Sequence, residues 1–269
     1  MDLDLELLLL KVAIAPAFIA LASLIALRYG HRAAGWLVAL PINTGTVILV
    51  LTLTEGTTFA AGAALGALLA IVSLSAFSVG YAVSAARYTW PACLGVAAVG
   101  FALSTVLLSE APEIVPLALA GSVLAIAVVL AVLPKGDPSA KAAPSPRWEI
   151  PLRMLTAVVL VVGITTAAEN LGARLSGLLS PIPVFTITLV IFTHSREGPA
   201  PVFVFLRGLQ YGLFSFAAFC AAVAVLLVPF GLGVAMGVGL GAYLGVYALL
   251  RVVAGGTGGT VRPNSEPTR

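Results

Sequence analysis

Two segments of the chain place prolines beside hydroxyl and amide side chains inside apolar runs: Leu40-Pro41-Ile42-Asn43-Thr44-Gly45-Thr46 and Ser180-Pro181-Ile182-Pro183-Val184-Phe185-Thr186-Ile187-Thr188. A proline inside a helix removes one backbone hydrogen bond and clashes with the preceding turn, so polar backbone groups come free at that depth. Away from water, such groups are tolerated only where protein or a water-filled cavity satisfies them. With the neutral hydrogen-bonding groups of Asn43, Thr44, Thr46, Thr186 and Thr188, the paired interruptions at Pro41 and Pro183 suit a site for a polar solute. The same residues have a purely structural use. Thr in a membrane helix often bonds its own preceding turn, and a proline kink often only shapes packing.

Ionisable side chains form a second set. Arg207 stands about two turns into a long apolar run, three residues before Gln210. An uncompensated Arg at the centre of a membrane helix costs roughly 2.5–3.5 kcal/mol, so it should face a cavity or a partner, with Glu197 and Glu169 as candidates. Snorkelling to the interface is the alternative. The cluster His194-Ser195-Arg196-Glu197 suits a proton-sensitive gate, since His titrates near neutrality, and equally suits a solvated loop. Glu55, which matches Glu197 in the repeat described below, joins His194, Arg196 and Glu197 as a gating candidate.

Enzyme chemistry finds no constellation. The two histidines, His31 and His194, are far apart in sequence, and no metalloprotease, nucleophile-elbow, P-loop or dinucleotide signature occurs. Cys93 and Cys220 lie in apolar segments with no metal or redox spacing and read as small core-filling thiols. The sequence therefore predicts no enzyme activity, no metal and no cofactor.

The elements that carry these residues follow from composition. Of 269 residues, 60% are hydrophobic and 9% charged, with a mean hydropathy of +1.11. A soluble surface needs roughly 25% charged residues, so much of this surface meets lipid. The apolar runs are rich in Ala, Leu, Val and Gly without the alternation of an outer-membrane barrel, so the expected class is an all-α polytopic bundle. Nine transmembrane helices are expected, at about 5–27, 36–53, 57–85, 90–108, 114–133, 150–169, 176–193, 200–228 and 231–251. The third and eighth are long for one crossing and should tilt or bend. The acidic start, Met1-Asp2-Leu3-Asp4-Leu5-Glu6, lacks the basic character of a cleaved signal. Pro134 to Glu149 reads as a loop, and the stretch after Ala254 as a disordered tail.

On that scheme one face collects eleven basic residues, the other only Lys11 and Arg174, with Arg207 undecided. Basic residues stay cytoplasmic, which puts the N-terminus outside and the C-terminus inside the cell's inner membrane. The modest net charge of +3 lies at helix ends and offers no nucleic-acid surface.

A shift of 142 residues aligns the chain with itself. Gly30, Arg32, Gly35, Leu37, Pro41, Thr44, Thr46, Glu55, Gly56 and Gly66 fall on Gly172, Arg174, Gly177, Leu179, Pro183, Thr186, Thr188, Glu197, Gly198 and Gly208, ten identities over 37 positions. The division expected is a first four-helix repeat at 1–110, a linker helix and loop at 111–149, a second repeat at 150–254 and a tail at 255–269. One linker helix turns the second repeat upside down. Inverted repeats are a recurring basis of alternating access.

The run from Leu178 to Thr186, continuing to His194-Ser195-Arg196-Glu197-Gly198, resembles the GlpM-type small membrane proteins, four-helix chains with a Pro-Phe-rich second helix and a His-containing turn before the third. The resemblance covers about 36–108 and 178–251, and implies two such units fused through a reversing helix. The first copy departs by carrying Thr52 and Thr54 where the second has His194 and Arg196.

The expected function is a transporter or lipid-type flippase for a small polar or lipid-linked solute, working between inverted repeats. The alternative is a non-transporting scaffold or accessory subunit of a membrane or envelope-synthesis complex. Beyond the bilayer, the sequence names no partner, solute or oligomeric state.

Overall fold

The computed structural model describes residues 3–136, 146, 148–163 and 183–256, with side chains placed from Pro16 onward except at Asn43 and 253–256. The expected helix ends at 164–169 and 176–182, the central loop at 137–145 and the tail beyond 256 lie outside these residues.

The described residues are all-helical, with no strand among them. In chain order they form α1 (Leu3–Tyr29), α2 (His31–Val38), α3 (Ile42–Thr54), α4 (Thr57–Ala85), α5 (Trp90–Leu108), α6 (Val115–Val132), α7 (149–163), α8 (Val184–Glu197) and α9 (Pro199–Gly256). Four of these are long and apolar enough to cross a membrane: α4, α5, α6 and α9. The 54-residue span Pro199–Val252 of α9 bends back at Gly231, where φ is 76°, following Pro229. That break separates the runs expected at 200–228 and 231–251.

The expected second helix, 36–53, is two pieces. The eight residues of α2 end at Val38, and α3 starts only after Pro41, which stands at its N-cap. Pro41 cannot continue the ladder begun by α2 and disfavours helical backbone just before it. At about 1.5 Å per residue, neither piece crosses a membrane core alone. Pro183 takes the same N-cap position before α8. That helix runs through His194, Arg196 and Glu197, so the cluster read as a possible loop is the helix's last turn. Gly198 ends it with φ 80°, and Gly56 ends α3 with φ 92°, a left-handed conformation that glycine alone adopts cheaply. The long third helix is one unbroken element: α4 runs 29 residues without interruption.

Contacts fix which helix ends lie together. Tyr81, late in α4, meets His194, late in α8. The carbonyl of Arg32 at the start of α2 lies against Gly208 early in α9, and Arg207 reaches the last carbonyls of α6. The end of α4, the end of α6 and the start of α9 therefore share one end of the bundle, so α4 and the first half of α9 run in opposite directions. That end carries Arg28, Arg32, Arg87, Lys135, Arg153, Arg196, Arg207 and Arg251, while the turns after α3 and α5 at the other end carry Glu55, Glu110 and Glu113.

Where α2 crosses α9 the backbones touch. A Cβ on Gly35 would run into the Phe205 carbonyl oxygen, and one on Gly208 into the Arg32 carbonyl. Only glycine permits this approach, and small residues are the usual means of close packing between membrane helices. On its other side α9 packs against α4 and α6. Leu68, Ile71, Phe77, Leu206, Leu209 and Phe219 belong to one buried core, all nearly inaccessible.

Candidate functional site

Polar side chains collect along one strip of α4. Ser75, Ser78 and Tyr81 recur every three residues and so share a face. Opposite them Gln210 of α9 is wholly buried. Its amide donates to Ser78 Oγ at 3.0 Å, and Ser75 Oγ donates to its carbonyl oxygen at 3.2 Å. Ser78 also returns a hydrogen bond to Leu74 O at 2.9 Å. Without water to hydrate it, a buried primary amide persists only when its groups are paired, and here both ends are.

One helical turn nearer the basic end, Tyr81 Oη lies 2.9 Å from His194 Nδ1 and within 3.5 Å of Val190 O. Desolvation lowers the His194 pKa below the usual value of 6.5, so the ring is neutral at pH 7. Next to it, buried His31 of α2 lies 3.1 Å from Glu197 of α8. Beyond these, Glu149 at the start of α7 is fully buried and takes two guanidiniums: Arg153, one turn on in α7, and Arg196 of α8. Arg153 reaches Ser23 Oγ of α1 at 3.3 Å and lies over the Phe192 ring at 5.3 Å. A carboxylate with no exposure is tolerable because charge-assisted bonds occupy both its oxygens. These contacts fasten α1, α2, α4, α7 and α8 to one another at one end.

The residues expected to form a site divide. Gln210 joins the α4 strip, and His194, Arg196 and Glu197 all enter the cross-links at the basic end. Arg207 points elsewhere: it donates from Nη1 to Leu130 O and Leu133 O, both at 2.8 Å. It therefore satisfies carbonyls that the end of α6 leaves open, where a cation also favours the helix dipole. Of its expected partners, Glu197 meets His31 and Glu169 lies outside the described residues.

Among the described residues, the two broken segments are not brought together. α3 packs on α4 and α9, and α8 on α9, α5 and α1, with no substantial contact between α3 and α8. Thr186 and Thr188 are buried, and Thr188 donates to Val184 O at 2.9 Å; Thr46 does the same to Ile42 O at 2.8 Å. Thr44 is half-buried, and the Asn43 side chain lies outside the described set. A Cβ on Gly45 would sit 3.4 Å from Met236 and 3.8 Å from Phe219, so the surroundings of α3 there are apolar. Pro41 and Pro183 stand at the N-caps of their helices. Glu55 is exposed at the far end.

Sequence reasoning passed over Ser75, Ser78, Tyr81, His31, Glu149 and Arg153. The three-residue recurrence on α4 and the Glu149/Arg153 spacing of four residues were signals for most of them. Among the described residues, no cluster of His, Cys, Asp and Glu is arranged to hold a metal. Comparison with protein-family models, with curated proteins and with solved structures finds no match to this chain.

Proposed function

We propose that this protein is a membrane transporter for a small polar or lipid-linked solute, working by alternating access between two inverted repeats. The seam between α4 and α9 is the solute path, and the cross-links at the basic end are its closed gate. The observation that carries this is the hydrogen-bonded group of Gln210, Ser75 and Ser78, buried between two helices of opposite direction and continued by Tyr81 and His194 towards the ionic end.

The offset of 142 supports the repeat at the level of breaks as well as identities. It lays Pro41 on Pro183, Gly56 on Gly198, and the Thr89 cap of α5 on the Gly231 bend. With α4 opposed to the first half of α9, the matched pieces point opposite ways, as inverted repeats require. The basic end is then cytoplasmic. The likeness to two fused GlpM-type units belongs to the same proposal.

A single cysteine at Ser78, in a chain with Cys93→Ala and Cys220→Ala, tests the gate without knowledge of the solute. In vesicles of each orientation, a membrane-impermeant maleimide should react slowly from the basic end. Adding Glu149→Gln, or the milder Arg196→Gln, should speed that reaction on the order of tenfold. Equal and negligible labelling from both sides in every variant would remove the gate. It would favour the second reading, a closed scaffold or accessory subunit, which the dry packing of Thr186 and Thr188 recommends.

A further inference from the structure

The basic end holds a second feature, on the outer surface of the bundle and apart from the gate. Three of the guanidiniums there are occupied: Arg153 and Arg196 by Glu149, Arg207 by the α6 carbonyls. Arg32 and Arg251 are different. Neither is in an ion pair with a described carboxylate; each lies against an aromatic ring. Arg32 sits 4.9 Å over the Tyr211 ring, which stacks at 6.2 Å on Trp36, which meets Tyr247 edge-on at 4.9 Å. Arg251 closes the row by donating to Tyr247 Oη at 3.0 and 3.1 Å.

The row exists because α2 lies so close on α9. The Gly35–Gly208 contact and the Gly212 approach to Trp36 bring Arg32 and Trp36, one turn apart on α2, over Tyr211. The return of α9 at Gly231 brings Tyr247 and Arg251 back to the same end. The rings are half-buried, so they have open edges, and Leu244 and Leu249 beside them on α9 are both about three-fifths exposed.

We propose that this row is a binding site for anionic phospholipid, with phosphates at Arg32 and Arg251, the ring edges of Trp36, Tyr211 and Tyr247 at the glycerol level and acyl chains along the apolar face of α9. Two guanidiniums without a carboxylate supply the charge complement to phosphodiesters. Amphipathic rings settle at the headgroup boundary, and basic pockets between helices on the cytoplasmic side select anionic headgroups. The proposal needs α9 to cross the bilayer, but it does not need the protein to transport.

The chain contains three tryptophans, Trp36, Trp90 and Trp148. With Trp90→Phe and Trp148→Phe, emission reports on Trp36 alone. In mixed vesicles, brominated phosphatidylglycerol should quench it at a mole fraction on the order of tenfold lower than brominated phosphatidylcholine does. Arg32→Gln with Arg251→Gln should abolish that preference while leaving phosphatidylcholine quenching intact, which also shows that the variant is inserted. Arg28→Gln should keep it. Equal quenching by the two lipids, or a preference that survives the double variant, would overturn the site. Loss of the preference on adding millimolar inorganic phosphate at constant ionic strength would assign it to a free anion instead.

Discussion

The first half of α9 has two sides that solve the same packing problem differently. Towards α2 it uses glycine, and the backbones of the two helices meet at Gly35, Gly208 and Gly212. Towards α4 it uses side chains, and Gln210, Ser75 and Ser78 hydrogen-bond across the gap. A backbone contact has no substitute, because nothing else fits once the helices part. Hydrogen bonds can be traded for bonds to water or solute at little net cost. The glycine side is therefore the costlier of the two to part, and the polar side the cheaper.

The contrast predicts unequal costs. Gly208→Leu forces a branched side chain into the Arg32 carbonyl and should lower stability by about 3 kcal/mol, the upper part of the range for overpacking. Its thermal melt in detergent measures this, and a melt equal to that of the parent would mean that α2 and α9 part freely. Gln210→Leu removes both bridging bonds while keeping most of the volume. Polar contacts between membrane helices average roughly 0.6 kcal/mol, so about 1 kcal/mol is expected here. Its larger consequence should be functional: maleimide access to a cysteine at Ser78 ought to change far more than the melt does. If the two change in proportion, the seam is ordinary packing.

The smallest effect expected is one of pH. Burial depresses the His194 pKa below its ordinary 6.5, so the folded protein binds this proton less readily than the unfolded chain. Its neutral ring is compatible with full stability above about pH 6.5; stability is lost as pH falls from there through the depressed folded value. Acidifying from pH 7.5 to 5.5 should lower the melting temperature slightly, and His194→Gln should flatten that dependence. An unaltered slope in the variant would place the titrating group elsewhere.

Much of the frame was legible because it depends on local chemistry. Pro41 and Pro183 were legible as breaks in the helical ladder, though they stand before α3 and α8 and not inside longer helices. The gap between the runs at 200–228 and 231–251 marked where α9 bends. The extents of α4, α5 and α6 follow from apolar run length. The candidate site was less legible, because partners far apart in sequence are chosen by how helices cross. Nothing local to Arg207 says that it will cap α6. Nothing local to Thr186 says that its helix will face α5 and α1 and not α3. Gln210 was visible as an amide in an apolar run, but its serine partners are among the chain's many small residues and became distinct only opposite it.

The attachment of α6 bears on which parts of the bundle can shift. Ser122 of α6 donates to the Leu68 carbonyl of α4 at 2.8 Å, and Arg207 of α9 holds the last turn of α6. α6 is thus tied to both sides of the seam, to α4 at mid-height and to α9 at the foot. A parting of α4 from α9 would therefore turn about α6, as two boards turn about the leaf pinned to both, and would release the contacts of Glu149, Glu197 and His194 at the foot.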